Sequence, residues 1–293
     1  DRPYTEPSTV AALTMARLIE IYQPGDLRYH FEPELVKKQY QEATREQVQQ
    51  LYQQFFKTNH ADIAITGEFD VKRIKKRLNA EFANWESTQP YERLTDEYTA
   101  YNAQKVHALS EQREFGSYQA LLTMPVGTDN PDMPALQVFR HILGDSQLSS
   151  RLAQELREKN ALVYGFGADV NFSDWNESGA LLISANYTAG KSAQVSQAVH
   201  KVLQEMLNKG ITEQELEAAK ATMLKKRLTA LEDDRRIHSM LIPQLEKGRT
   251  LLEREKRDQA IATLTKADID QVIKKYIRLD QLVEVMADQY GQP

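Results

Sequence analysis

Apolar residues along the chain recur at two spacings, and the places where one gives way to the other mark its elements. Between 44 and 56, Val48, Leu51, Tyr52, Phe55 and Phe56 fall on one helical face, with Thr44 placed to cap the helix and Gln47 to close a capping box. The pattern returns at 265–277, where Thr265 and Asp268 start a helix carrying Ile269, Val272, Ile273, Tyr276 and Ile277. Each helix leads into a short alternating segment, 62–66 and 281–286, that predicts a strand. The copies lie about 220 residues apart, far beyond the period of a solenoid, which points to duplication of a whole domain. If the second copy closes a complete domain, the first closes one whose beginning lies before Asp1.

Between the copies, 86–102 is rich in Thr, Tyr, Glu and Asn, contains Pro90 and lacks apolar periodicity, as a linker does. The expected organisation is therefore the end of a preceding domain at 1–88, a linker at 89–104 and a complete domain at 105–293. In that domain 105–110 and 117–125 predict strands, 134–143 and 146–159 helices, and 162–171 and 179–187 paired strands joined by the polar turn 173–178. Three longer helices follow. The first carries Val195, Ala198, Val199, Val202, Leu203 and Met206 and ends at Gly210, where a left-handed cap belongs. Thr212 and Glu215 box the second, and 235–257 continues in helical register with a break expected at Pro243. Strands first and last with helices between them predict an α+β sandwich, an antiparallel sheet covered on one face.

Composition narrows the partners. With 37 basic and 42 acidic residues the formal net charge is -5, too mild to steer the chain to nucleic acid or an anionic membrane, and no apolar run reaches the ~20 residues of a membrane span. Zero cysteines exclude disulfides, thiolate metal sites and cysteine nucleophiles. A cysteine-free chain suits either bacterial compartment, with a slight lean to the periplasm, where an unpaired thiol is a liability.

Candidate chemistry is sparse. The six histidines, His30, His60, His107, His141, His200 and His238, are scattered, and neither H-E-x-x-H nor H-x-x-E-H occurs, so no metal site is expected in this chain. Ser149, Ser150 and Ser184 have no sequence-local base and no G-x-S-x-G elbow. Gly165 and Gly167 lack the third glycine of a phosphate loop, and the basic clusters 72–77 and 225–227 read as solvated helix faces.

One segment is more specific: 143–167, LGDSQLSSRLAQELREKNALVYGFG. Ser149, Ser150, Arg151 and Leu152, then Leu156, Arg157, Glu158 and Lys159, then Tyr164, resemble the S-S-R-L helix, L-R-E-K element and tyrosine-bearing strand of the pitrilysin/insulinase family of zinc metallopeptidases. The stretches 44–67 and 264–287 resemble the ends of successive domains in that family. The resemblance implies duplicated α+β domains whose two halves close around an unfolded peptide. It also implies zinc in an N-terminal domain of the parent protein or in a partner subunit, and none here. Arg157 and Tyr164 match an arginine and a tyrosine that reach the substrate in such enzymes, donors for the scissile carbonyl or its oxyanion. The turn reads Gly144, Asp145, Ser146, Gln147, where family members often carry more glycine. Three roles remain open: the C-terminal part of a single-chain zinc peptidase, a stand-alone non-catalytic subunit, and a peptide-binding scaffold offering an exposed sheet edge.

Overall fold

The structure, a computed structural model, describes residues 5–30, 32–56, 61–86, 91–111 and 114–292. His60, Pro90 and the first four residues lie outside the described residues. Along the chain come helices α1 (Pro7–Leu18), α2 (Pro33–Glu42), α3 (Arg45–Phe55) and α4 (Val71–Phe82), then strands β1 (Gln104–Leu109) and β2 (Phe115–Met124). Helix α5 (Met133–Arg140) and strands β3 (Val163–Phe172) and β4 (Gly179–Thr188) follow. Helices α6 (Ser192–Lys209), α7 (Glu213–Thr229), α8 (Asp234–Glu246), α9 (Leu251–Thr263) and α10 (Lys266–Tyr276) precede the last strand, β5 (Val283–Asp288). All three capping boxes form. In α3, for example, the Gln47 amide N–H donates to Thr44 Oγ1 (3.2 Å) while the Thr44 N–H donates to Gln47 Oε1 (2.8 Å).

Two compact units group Asp1–Ile21, Thr95–Lys225 and Glu255–Pro293 in one, and Tyr22–Leu94 and Lys226–Arg254 in the other. They differ from a division at 88 and 105 because segments distant in sequence enter each unit. In the second unit a small aromatic cluster sets Trp85 5.9 Å from both Tyr52 and Phe82.

The first unit is built on a five-stranded sheet of order β1-β5-β2-β4-β3. Alternate residues of β2, Tyr118, Ala120, Leu122 and Met124, face a core completed by Phe139 of α5, Val199 and Leu203 of α6 and Ile269 and Ile273 of α10. The α+β class is therefore as expected, with two refinements. β1 runs parallel to β5 while the other pairs are antiparallel, and α1 lays Ala11 and Met15 on Leu121, Val283 and Val285, covering part of the second face. Every residue of β5 is buried as a result.

Four local expectations are corrected. Residues 62–66 form no strand, because a strand exists only through its neighbours and none pairs with them among the described residues. The helix expected from 146 starts only at Arg151, since Ser146 accepts the Ser149 N–H (3.1 Å) and the Ser150 hydroxyl donates to its carbonyl (2.5 Å), a local turn that competes with the helix. Pro243 lies inside α8, and the break falls at Gly248, whose φ of +61° a residue without a side chain adopts readily. Gly210 caps α6 with φ +69° and ψ -159°, outside the left-handed helical region; a side chain there would strike the Asp270 carboxylate.

β5 brings two carboxylates into the interior, and both are saturated. Glu284 accepts from the Tyr118 hydroxyl (2.9 Å), the Ser196 hydroxyl (2.6 Å) and His200 Nε2 (2.7 Å). Asp288 accepts from His107 Nε2 (2.7 Å), the Tyr187 hydroxyl (3.0 Å) and the Tyr290 N–H (2.9 Å). Burial pushes both carboxyls up, but these donors outweigh it and hold both below the usual carboxylate range. Their stabilisation is present above the unfolded carboxylate pKa and is lost as pH falls through the lower folded values. Chemical denaturation is accordingly expected to show stability declining below about pH 4. At neutral pH, Tyr118→Phe, which strips one donor from a buried carboxylate, is expected to lower the unfolding free energy by about 1–3 kcal/mol.

Candidate functional site

The segment singled out by sequence is irregular throughout. After α5 the chain widens into a π-helical turn, His141–Asp145, and after Arg151 and Leu152 into a π-helical segment, Ala153–Lys159. Such wide turns are uncommon and frequent at functional sites. Gly144 lets the first of them approach β3, since a Cβ there would lie 2.6 Å from the Ala168 Cβ. Between the two, the turn at 146–150 is closed by Ser146, whose hydroxyl lies 2.7 Å from that of Ser149. Ser149 and Ser150, weighed as nucleophiles, thus spend their hydroxyls on the turn. Arg151 anchors the start of the π-helical segment: its guanidinium pairs with Glu215 at the start of α7 and donates to the Gly210 carbonyl (3.3 Å). Leu152 and Leu156 are fully buried.

The π-helical segment ends in a reversal. The Leu162 N–H reaches back to the Leu156 carbonyl (2.8 Å) and the Ala161 N–H to Arg157 (3.1 Å), which forces Ala161 to φ +47°, the one non-glycine positive φ among the described residues. The chain then enters β3 through a bulge. Val163 pairs with Tyr187 and Gly165 with Asn186, leaving Tyr164 as the extra residue.

Arg157 and Tyr164 are brought together by this path. Arg157 Nη2 donates to the Tyr164 carbonyl (3.0 Å) and Nη1 to the Gln147 carbonyl (3.3 Å), and the guanidinium lies 5.5 Å from the Phe166 ring centroid. Gln147 Nε2 donates in turn to the Phe166 carbonyl (2.8 Å). Tyr164 is left 67% exposed, and its hydroxyl accepts a hydrogen bond from Thr188 Oγ1 at 3.4 Å. The phenol is presented outward while the guanidinium ties the turn to the strand. The same bonds occupy the outer edge of β3 at Tyr164 and Phe166, so an added strand finds those carbonyls already taken.

Residues 42–223 match the Peptidase M16 inactive domain family. The chain belongs to that family. The resemblance read from 143–167 is thereby borne out. A zinc protease of Mycobacterium leprae is 37% identical over 99 residues, a match covering 34% of this chain and 22% of that protein. The chain thus spans under a quarter of the length of this curated relative. In fold it is similar to a peptidase M16 inactive domain from Pseudomonas fluorescens, with a TM-score of 0.79 and 19% identity, covering 99% of this chain and 67% of that one. It is also similar to a protease from Helicobacter pylori, with a TM-score of 0.83 and 16% identity over 98% and 68% of the two chains.

Zinc, which the M. leprae relative's name mentions, does not fit the described residues of this M16 inactive domain. No group of three or more potential ligands comes together among them, and His107, His141 and His200 are each held by a different carboxylate, Asp288, Asp145 and Glu284. No helix among the described residues is long and apolar enough to cross a membrane. Sequence reasoning named Arg157 and Tyr164 but passed over Gln147, visible only as a departure from a glycine-rich turn; neither the π-helical segments nor the bulge has a sequence signal. Ala161→Gly is expected to relieve the left-handed strain and raise stability by about 1 kcal/mol in urea melts.

Proposed function

We propose that this chain is the non-zinc-binding half of a metallopeptidase that encloses a peptide and presents Tyr164, braced by Arg157, to it, at a zinc site outside this chain. The observation that carries the reading is the division of labour in the pair. Arg157 spends its donors on the carbonyls of Gln147 and Tyr164, and Tyr164 sits on a bulge with its phenol free to donate to a peptide carbonyl. Zinc held by the other half would supply an activated water. The tyrosine contributes a preorganised hydrogen bond.

The two copies of the helix-then-strand module support a partner half. In α10, Ile269, Val272, Ile273 and Tyr276 are buried, with Ile277 just beyond, and β5 lies between two strands. In α3 and its following residue, Val48, Leu51, Tyr52, Phe55 and Phe56 take the same places and are half to two-thirds exposed. An apolar face of that kind is what a zinc-bearing half of the same protein or a partner subunit would cover. The unformed strand 62–66 stands where the second copy carries β5.

In the assembled peptidase, Tyr164→Phe is expected to lower kcat by about tenfold or more with little change in KM, whereas Arg157→Lys loses the bridge and lowers both kcat and thermal stability. Steady-state kinetics on a quenched fluorescent peptide reads both; an unchanged kcat in Tyr164→Phe removes the contact. The double variant Phe55→Asp, Phe56→Asp is expected to weaken association with a separately made zinc-bearing half at least about tenfold in ultracentrifugation, while circular dichroism of the chain stays as in wild type.

A further inference from the structure

Among the described residues of the sheet-bearing unit, the two most exposed large apolar side chains are Leu148 at 78% and Tyr164 at 67%. They lie sixteen positions apart, and one guanidinium binds the backbone beside the first and at the second. Arg157 donates from Nη1 to the carbonyl of Gln147, which is bonded directly to Leu148, and from Nη2 to the carbonyl of Tyr164 itself. The backbone under Leu148 is fixed on both sides: its own N–H and that of Ser149 point to the Ser146 hydroxyl (3.4 and 3.1 Å), and Gln147 is tied to Phe166. A lone exposed leucine is ordinary on a protein surface. A leucine on a braced turn, whose backbone is tied through one guanidinium to that of an exposed tyrosine and whose neighbouring hydrogen-bonding groups are occupied, is a preorganised apolar contact.

We propose that Leu148 is a specificity-determining residue, which packs against an apolar side chain of an extended peptide whose backbone meets the Tyr164 phenol. This rests on the substrate-facing role given to Tyr164 above. Because Arg157 and Gln147 occupy the β3 carbonyls at 164 and 166, a peptide lying here is read through its side chains and not by adding to the sheet. A neighbouring apolar residue then gains by leaving water against Leu148, and a polar one does not.

The test uses the assembled peptidase and quenched fluorescent peptide pairs, identical except for leucine or serine at one position, stepped along the peptide. Wild type is expected to prefer leucine at one or two positions, and Leu148→Ser to lower kcat/KM about tenfold for those leucine peptides while leaving the serine peptides unchanged. Equal changes on both members of every pair, no change on either, or a wild type without preference overturns the proposal. Tyr164→Phe measured on the same pairs separates the two ideas. If it slows all peptides alike while Leu148→Ser changes nothing, only the role of Leu148 is lost; if neither variant has an effect, the substrate-facing reading of this surface falls with it.

Discussion

The sheet is completed from its middle by the last strand of the chain. β5 inserts between β1 and β2, is covered on both faces, and carries Glu284 and Asp288 into the interior. A buried carboxylate without donors would cost several kcal/mol, so the fold depends on bringing Tyr118, Ser196 and His200 to the first and Tyr187 and His107 to the second. Those donors come from β1, β2, β4 and α6, which ties three other strands and a covering helix to one strand. The pairing is also long-range, since β1 must wait for residues more than 170 positions later, a topology with a high entropic cost of closure.

Against this regular frame the candidate site is a concentration of irregular backbone. Two π-helical stretches, a left-handed alanine and a bulge occur within 141–164. Irregular backbone persists where surrounding contacts over-determine it, and here they are identifiable: Arg151 on Glu215, Gln147 on Phe166, and Arg157 across Gln147 and Tyr164. The family match places the chain among inactive domains.

The repeated helix-then-strand module shows what an amphipathic pattern encodes. Thr44 and Thr265 cap their helices in the same way and both helices carry the same apolar face, yet one face is buried and the other open. A pattern of this kind specifies which side of a helix avoids water. It does not specify what lies on that side.

Interactions that close within a few residues were legible in the sequence alone. The capping boxes at Thr44, Thr212 and Thr265 and the apolar stripe of α6 need only neighbours three or four positions away, the β3–β4 hairpin closes through the polar turn 173–178, and the Ser149–Leu152 and Leu156–Lys159 motifs named the family. The same motifs pointed to Arg157 and Tyr164, but not to Gln147 or to the exposure of Leu148. Tertiary structure alone decided the parallel pairing of β1 with β5, the seat of α1 on the second face, the shift of the helix break from Pro243 to Gly248, and the assignment of the Arg157 donors to two carbonyls ten and seven residues away. Each of these is settled by a partner distant in sequence or by the geometry of the bend between, and a hydrophobic pattern carries information about neither.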